Sequence, residues 1–152
     1  MYDMSNYKLA DLLDINHLQR LADSNLQASG LPMTIIDAVD NSVLVQAGWQ
    51  DICLKFHRAH PCSQKRCIES EAQVYDRIVE GGAVQYRCQN GLWHVAMPII
   101  VAKRHLGTMF LSQFLIAGEV PQREFFIKQA REFGYDLEAY LAALDSVQVF
   151  SL

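Results

Sequence analysis

Cys53, Cys62, Cys67 and Cys88 are the residues of this sequence best suited to chemistry, because a thiolate can ligate a soft metal, hold an Fe–S cluster or attack an electrophile. Eight, four and twenty residues separate them in turn. None of these intervals is the two-residue spacing of a zinc ribbon or a thioredoxin-like motif, so spacing alone does not define a metal site. Placement says more. Three of the four flank one central segment and the fourth closes a strand just before Asn90-Gly91, which lets all four converge at one edge of a sheet. Cys62 and Cys67 also fall near the start of a helix, where the positive end of the helix dipole favours thiolate. His57 and His60 lie close by, and imidazole can replace a thiolate ligand. The competing reading is plain burial, since free cysteine behaves as a small hydrophobe. A zinc ion or an Fe–S cluster on the four cysteines is one expectation, and a cofactor-free core or pocket wall is the other.

A pocket is the second chemical prospect. Trp49, Phe56, Tyr86, Trp93, Met97, Met109 and Phe114 supply enough apolar surface to line one or, equally, to fill a core. His94 stands between Trp93 and Val95 on a strand pattern and so points to the face opposite both. A lone histidine there serves as a hydrogen-bonded structural residue as readily as a ligand contact. The ligand set read from the sequence is Trp49, Phe56, His57, Tyr86, Trp93, His94, Met97 and Gln113. The common nucleotide, zinc-protease and hydrolase signatures are absent, and nothing pairs a nucleophile with a base. A non-catalytic role is expected.

The chain has 152 residues, 51% of them apolar and 20% charged, the composition of a globular domain rather than of a disordered segment. A net charge of −4 argues against a phosphate backbone as direct partner. No run of about 18 apolar residues is present to span a bilayer. The opening residues lack the basic start and apolar core of a signal peptide. The chain therefore reads as cytoplasmic, with its cysteines in a reducing compartment.

The elements that must position these residues are legible as patterns. No repeat or linker divides the chain, so residues 1–152 are expected to form one domain. It comprises N-terminal helices over 8–29, a sheet and cysteine-bearing helices over 32–116, and C-terminal helices over 120–145. Leu9, Leu12 and Leu13 open the helical pattern and offer an apolar face for a homodimer. Asp14 has the place of an N-cap, with Ile15, Leu18, Leu21, Ala22 and Leu26 on the apolar side of its helix and Gly30 as the stop. Strands over 32–38 and 42–47 read as a hairpin. Trp49, Ile52, Cys53 and Phe56 suit a short helix that Pro61 interrupts. A longer helix over 63–80 is expected to bury Ile68, Ala72, Tyr75, Ile78 and Val79. Strands over 83–88, 92–101 and 106–115 follow, the first two joined through Asn90-Gly91. Pro121 fits the start of a helix that buries Phe126, Ile127, Ala130 and Phe133, and Asp136 caps a final one. The tail, 147–152, reads as the start of a connector. About five mostly antiparallel strands flanked by helices make an α+β domain of the PAS or GAF kind.

Several short pieces are more specific. They are Leu12-Leu13-Asp14, Ser29-Gly30-Leu31-Pro32, Gly48-Trp49-Gln50-Asp51-Ile52-Cys53, Phe56-His57-Arg58, Cys67-Ile68-Glu69-Ser70 and Tyr86-Arg87-Cys88-Gln89-Asn90-Gly91-Leu92. Spread over residues 12–144, they resemble the PocR sensory domain family. Two departures stand out: Gln113 follows Ser112 where the family tends to have glycine, and Gln89 follows Cys88 where it usually has histidine. The resemblance implies a PAS-like, non-catalytic input module that binds a small hydrocarbon derivative such as propanediol. It also implies fusion or association with a DNA-binding, histidine-kinase or cyclic-dinucleotide output domain. Cys53, Cys67 and Cys88 match the family motif, Cys62 less closely, and the match strengthens the expectation of a metal or Fe–S centre on the cysteines. On the alternative reading the cysteine cluster is itself a redox sensor.

Overall fold

The computed structural model describes residues 6–118 and 123–151. Two helices open the chain, α1 (Leu9–Leu12) and α2 (Ile15–Ser29). Asp14 caps α2 by accepting from His17 N at 3.1 Å, and Gly30 ends it in the left-handed region at φ 72°. The hairpin β1 (Met33–Asp37) and β2 (Val43–Ala47) follows.

The central segment is where pattern and fold part. Residues Ile52–His57 form a π-helical turn, a wider winding found mostly at functional sites. Pro61 does not interrupt a helix. It begins α3 (Pro61–Gly81), where its missing N–H costs nothing, and the His60 ring accepts from Cys62 N at 3.2 Å to cap it. The inward face of α3 is also displaced from the expected one: Ser63, Ser70, Val74 and Ile78 are buried, whereas Ile68 is 57% exposed.

Three strands, the short β3 (Val84–Arg87) and the long β4 (Trp93–Val101) and β5 (Arg104–Ile116), form an antiparallel meander. Helices α4 (Arg123–Phe133) and α5 (Leu137–Asp145) come next. Asp136 caps α5 by accepting from Ala139 N at 2.8 Å. The expected start of α4 at Pro121 lies outside the described residues. The tail supplies a sixth strand rather than a connector, since β6 (Val149–Phe150) pairs in parallel with Leu115 and Ile116 of β5.

The molecule is an α+β domain built on one open, mostly antiparallel sheet in the order β2-β1-β5-β4-β3, with β6 beside β5. Strand alternation gives the sheet two buried faces. One carries Ile35, Val45, Ala47 and Leu106 against Leu9 and Ala22 of the N-terminal helices. There Leu21 stays exposed while Ala22 is buried, so the apolar side expected of α2 is only partly buried, and Leu12 and Leu13 after α1 are exposed as well. The other carries Ile36, Val84, Tyr86, Cys88, Ala96 and Phe110 against the π turn, α3, α4 and α5. Among the described residues no helix is long and apolar enough to cross a membrane.

Candidate functional site

The second face holds a polar cavity, and one irregularity of the sheet shapes it. Trp93 pairs with Phe114 and Val95 with Leu111, so two residues of β5, Ser112 and Gln113, face one residue of β4, His94. Such a bulge bends the strand and re-aims side chains. Gln113 is the residue that absorbs it, at φ 61°, a left-handed conformation rare for a residue with a Cβ. Its side chain is buried, and its Oε1 accepts from Gln50 N at 2.6 Å, tying β5 to the chain entering the π turn.

Two adjoining cavities of about 20 Å³ each, room for roughly one water apiece, share Arg58, Glu71, His94 and Gln113 as walls. The first is completed by Cys53, Cys67, Cys88, His57, Ser70 and Tyr86. Trp49, Thr34, Ile36, Phe110 and Ser112 complete the second. Arg58 makes a 2.6 Å ion pair with Glu71 and lies 4.6 Å over the Trp49 ring, whose indole N–H donates to Thr34 Oγ1 at 2.6 Å. His94 stacks on Tyr86, with ring centroids 5.0 Å apart. It sits deep in the molecule yet keeps some accessible surface, which belongs to the cavity wall. Burial, with Arg58 and His57 nearby, lowers its pKa to about 3, so the ring is neutral at pH 7. Its Nε2 is buried and has no hydrogen-bond partner among the described residues.

Of the expected ligand set, His57, Tyr86, His94 and Gln113 line the first cavity, and Trp49 joins His94 and Gln113 at the second. Phe56 packs instead against Tyr135 and Tyr140. Met97 pairs with Met109 on the other face of the sheet, because the pleat sends it opposite His94 and Ala96. Trp93 lies with Gln89 in a neighbouring cleft of about 340 Å³ beside β3, which shares Ser70 and Tyr86 with the first cavity.

Three of the four cysteines come together and one does not. Cys53, Cys67 and Cys88 line one cavity, whereas Cys62 is exposed at the start of α3. Among the described residues, no three His, Cys, Asp or Glu side chains are grouped to hold a metal ion. Nor is thiolate favoured. Burial raises the pKa of Cys53 well above the ordinary thiol value and that of Cys88 to about 11. Burial outweighs Arg58 and the Asn90 amide in raising that of Cys67. Cys67 lies more than a turn into α3, where the helix end no longer dominates. As placed, the cysteines do not fit the expected four-cysteine metal ion or Fe–S cluster.

Behind the cavity, a polar network joins it to the last helices. His57 is fully buried, and its Nε2 lies 2.7 Å from the Tyr140 hydroxyl of α5. Gln129 of α4 donates to that hydroxyl at 2.7 Å and to the Asn90 carbonyl at 3.3 Å. The Asn90 amide in turn donates to Ser63 O at 2.9 Å and to Cys67 Sγ at 3.2 Å. Arg58, Glu71, Gln129 and Tyr140 were not among the site residues read from the sequence, whereas His57 and Cys67 were. Arg58 carried a signal within Phe56-His57-Arg58, but Glu71 resembles any exposed helical carboxylate.

An open, mostly antiparallel sheet flanked by helices, with two small cavities where sheet, π turn and helices meet, places the chain in the class of α+β domains. The comparison with protein families is more particular. The model of the sensory domain found in PocR matches residues 11–152, and the chain belongs to that family. It is a sensory domain. No curated protein and no solved structure gave a significant match to the chain.

Proposed function

We propose that this chain is a non-catalytic sensory domain that takes a small hydrocarbon derivative between His94, Gln113 and Arg58 and passes the change to an output domain or partner. One observation carries the reading: His94 Nε2 is a buried polar atom without a partner, on the wall of a cavity. Such an atom is expensive to leave unmet in a dry interior, and a bound polar group meets it. The proposed contacts are Trp49, His57, Tyr86, His94 and Gln113, joined by Arg58. A ligand of three or four carbons exceeds the room present, so its entry moves the walls apart. Gln113 then acts on the π turn through Gln50 and on β6 through β5, and the ligand selects the opened arrangement.

The test is a screen of short diols, acids and aromatics, read by melting temperature and by tryptophan fluorescence. A ligand at a hundredfold its Kd stabilises by about 2.7 kcal/mol, a rise of roughly 5–10 °C for a domain of this size. If no compound moves either signal, the reading falls.

A second reading makes Cys53, Cys67 and Cys88 a metal or Fe–S centre, and its support is that all three reach one cavity. It requires their side chains to close up. Iron, zinc and sulfide content of protein purified without oxygen decides it. Metal that is lost in each single Cys→Ser variant upholds this reading, and metal-free wild type removes it.

A further inference from the structure

The hydrogen bonds behind the cavity fix where the protons of one wall must be. Gln129 is oriented by two groups that each have a single role. The Arg66 guanidinium, which can only donate, meets its Oε1 at 3.4 Å, and the Asn90 carbonyl, which can only accept, meets its Nε2 at 3.3 Å. The Gln129 amide nitrogen therefore faces Tyr140, and it donates to the hydroxyl oxygen at 2.7 Å. The Tyr140 proton must go to another acceptor, and His57 Nε2 is 2.7 Å away. An imidazole that accepts at Nε2 while neutral carries its proton on Nδ1. Burial keeps the ring neutral, since it lowers the pKa to about 3. His57 Nδ1–H is thus a buried donor with no acceptor among the described residues, on a ring that forms part of the cavity wall.

We infer, on the reading of this cavity as the ligand site, that its ligand presents an oxygen acceptor to His57 Nδ1–H and that the same ring carries the contact to Tyr140 of α5. The ligand class is a short apolar body bearing a carbonyl, carboxylate or hydroxyl oxygen. An acceptor-free hydrocarbon leaves the donor unmet. His57 faces two ways: its ring forms part of the cavity wall, and its Nε2 meets the helix that precedes β6. A new partner at Nδ1 strengthens Nε2 as an acceptor and tightens its bond to Tyr140, because linked hydrogen bonds polarise one another. The signal thereby enters α5 without any side chain having to cross the core.

The experiment uses the full chain with 15N-labelled histidine. Long-range proton–nitrogen spectra at pH 7 should show the His57 ring protonated at Nδ1 and bare at Nε2. The ring is identified by its loss in His57→Gln or, should that variant not fold, by its displacement in Tyr140→Phe. A proton on Nε2 instead overturns the inference. Acetone and 2-methylpropene, which share a shape but not an oxygen, are then added in turn. Acetone should move the Nδ1 resonance and the amide resonances of α5. 2-Methylpropene should move neither, and in Tyr140→Phe the α5 response to acetone should be lost. Equal shifts from both probes, or acetone binding that leaves Nδ1 unmoved, overturn this inference alone. If neither probe nor the wider screen shifts any resonance or the melting temperature, the ligand reading of the cavity falls and takes this inference with it.

Discussion

Gln113 carries two opposed demands. Its left-handed backbone costs a non-glycine residue about 1–2 kcal/mol, and its side chain offsets that cost by accepting from Gln50 N. Glycine would relieve the backbone and lose the hydrogen bond, so Gln113→Gly should leave stability within about 1 kcal/mol of wild type. A β-branched residue gains nothing and deepens the backbone strain, so Gln113→Val should cost about 2–4 kcal/mol. Urea unfolding separates the two, and equal costs would show that the left-handed conformation does not select the residue. From the sequence, His57, Tyr86, His94 and Gln113 could be chosen because polar groups among apolar neighbours stand out, and the fold gathers all four. Alternation already set His94 opposite Trp93, but which of the two faces carries the cavity depends on where the helices pack, so Trp93 and Met97 stayed in the set.

At the scale of elements, the site depends on how α4 seats on the turn between β3 and β4. That turn presents Asn90 to Ser63, Cys67 and Gln129, and Gly91 follows it at φ 100°. A Cβ on Gly91 would meet the Phe125 ring at 2.8 Å and the Phe126 ring at 3.0 Å. Gly91→Ala therefore combines backbone strain with overpacking and should cost about 2–4 kcal/mol. Gly134→Ala is the control: it shares the positive φ, at 69°, but has nothing within 4 Å, so it should cost only about 1 kcal/mol. Similar losses in thermal unfolding would rule out packing of α4 as the cause. Elements fixed by local chemistry were the legible ones, as at the Asp14 and Asp136 caps, the Gly30 stop and the hairpins. α3 was misread for a reason tied to the site. Its apolar pattern selects Ile68 and Ala72, but its inward face carries Ser63, Cys67 and Ser70 because it walls a polar cavity and holds the Asn90 turn. The π turn has no periodicity that separates it from a short α-helix, and β6 is too short to leave a pattern.

For the whole molecule, the two buried imidazoles make stability depend on pH. In the unfolded chain a histidine titrates near 6.5, whereas burial lowers His57 and His94 to about 3. Between those values the unfolded chain binds about two more protons than the folded one, so folding is favoured as pH rises. The stabilisation is complete above about pH 7 and is lost as pH falls through 6.5 towards 3. Each ring contributes at most about 1.4 kcal/mol per pH unit, so the loss from pH 7 to 5 should be about 2–4 kcal/mol for the pair. Most carboxylates remain ionised over that interval, which isolates the histidines. The free energy of urea unfolding at pH 7, 6 and 5 tests this, and His94→Gln should remove about half of the slope. A flat profile would mean that both rings gain protons in the folded protein as readily as in water, and then the face that joins cavity, π turn and last helices would be open to solvent. A steep profile ties the neutrality of both rings to the integrity of that face. The groups that would meet a ligand are then the ones whose burial depends on α3, α4 and α5 being seated on the sheet, and occupancy of the cavity and docking of the terminal helices become a single equilibrium.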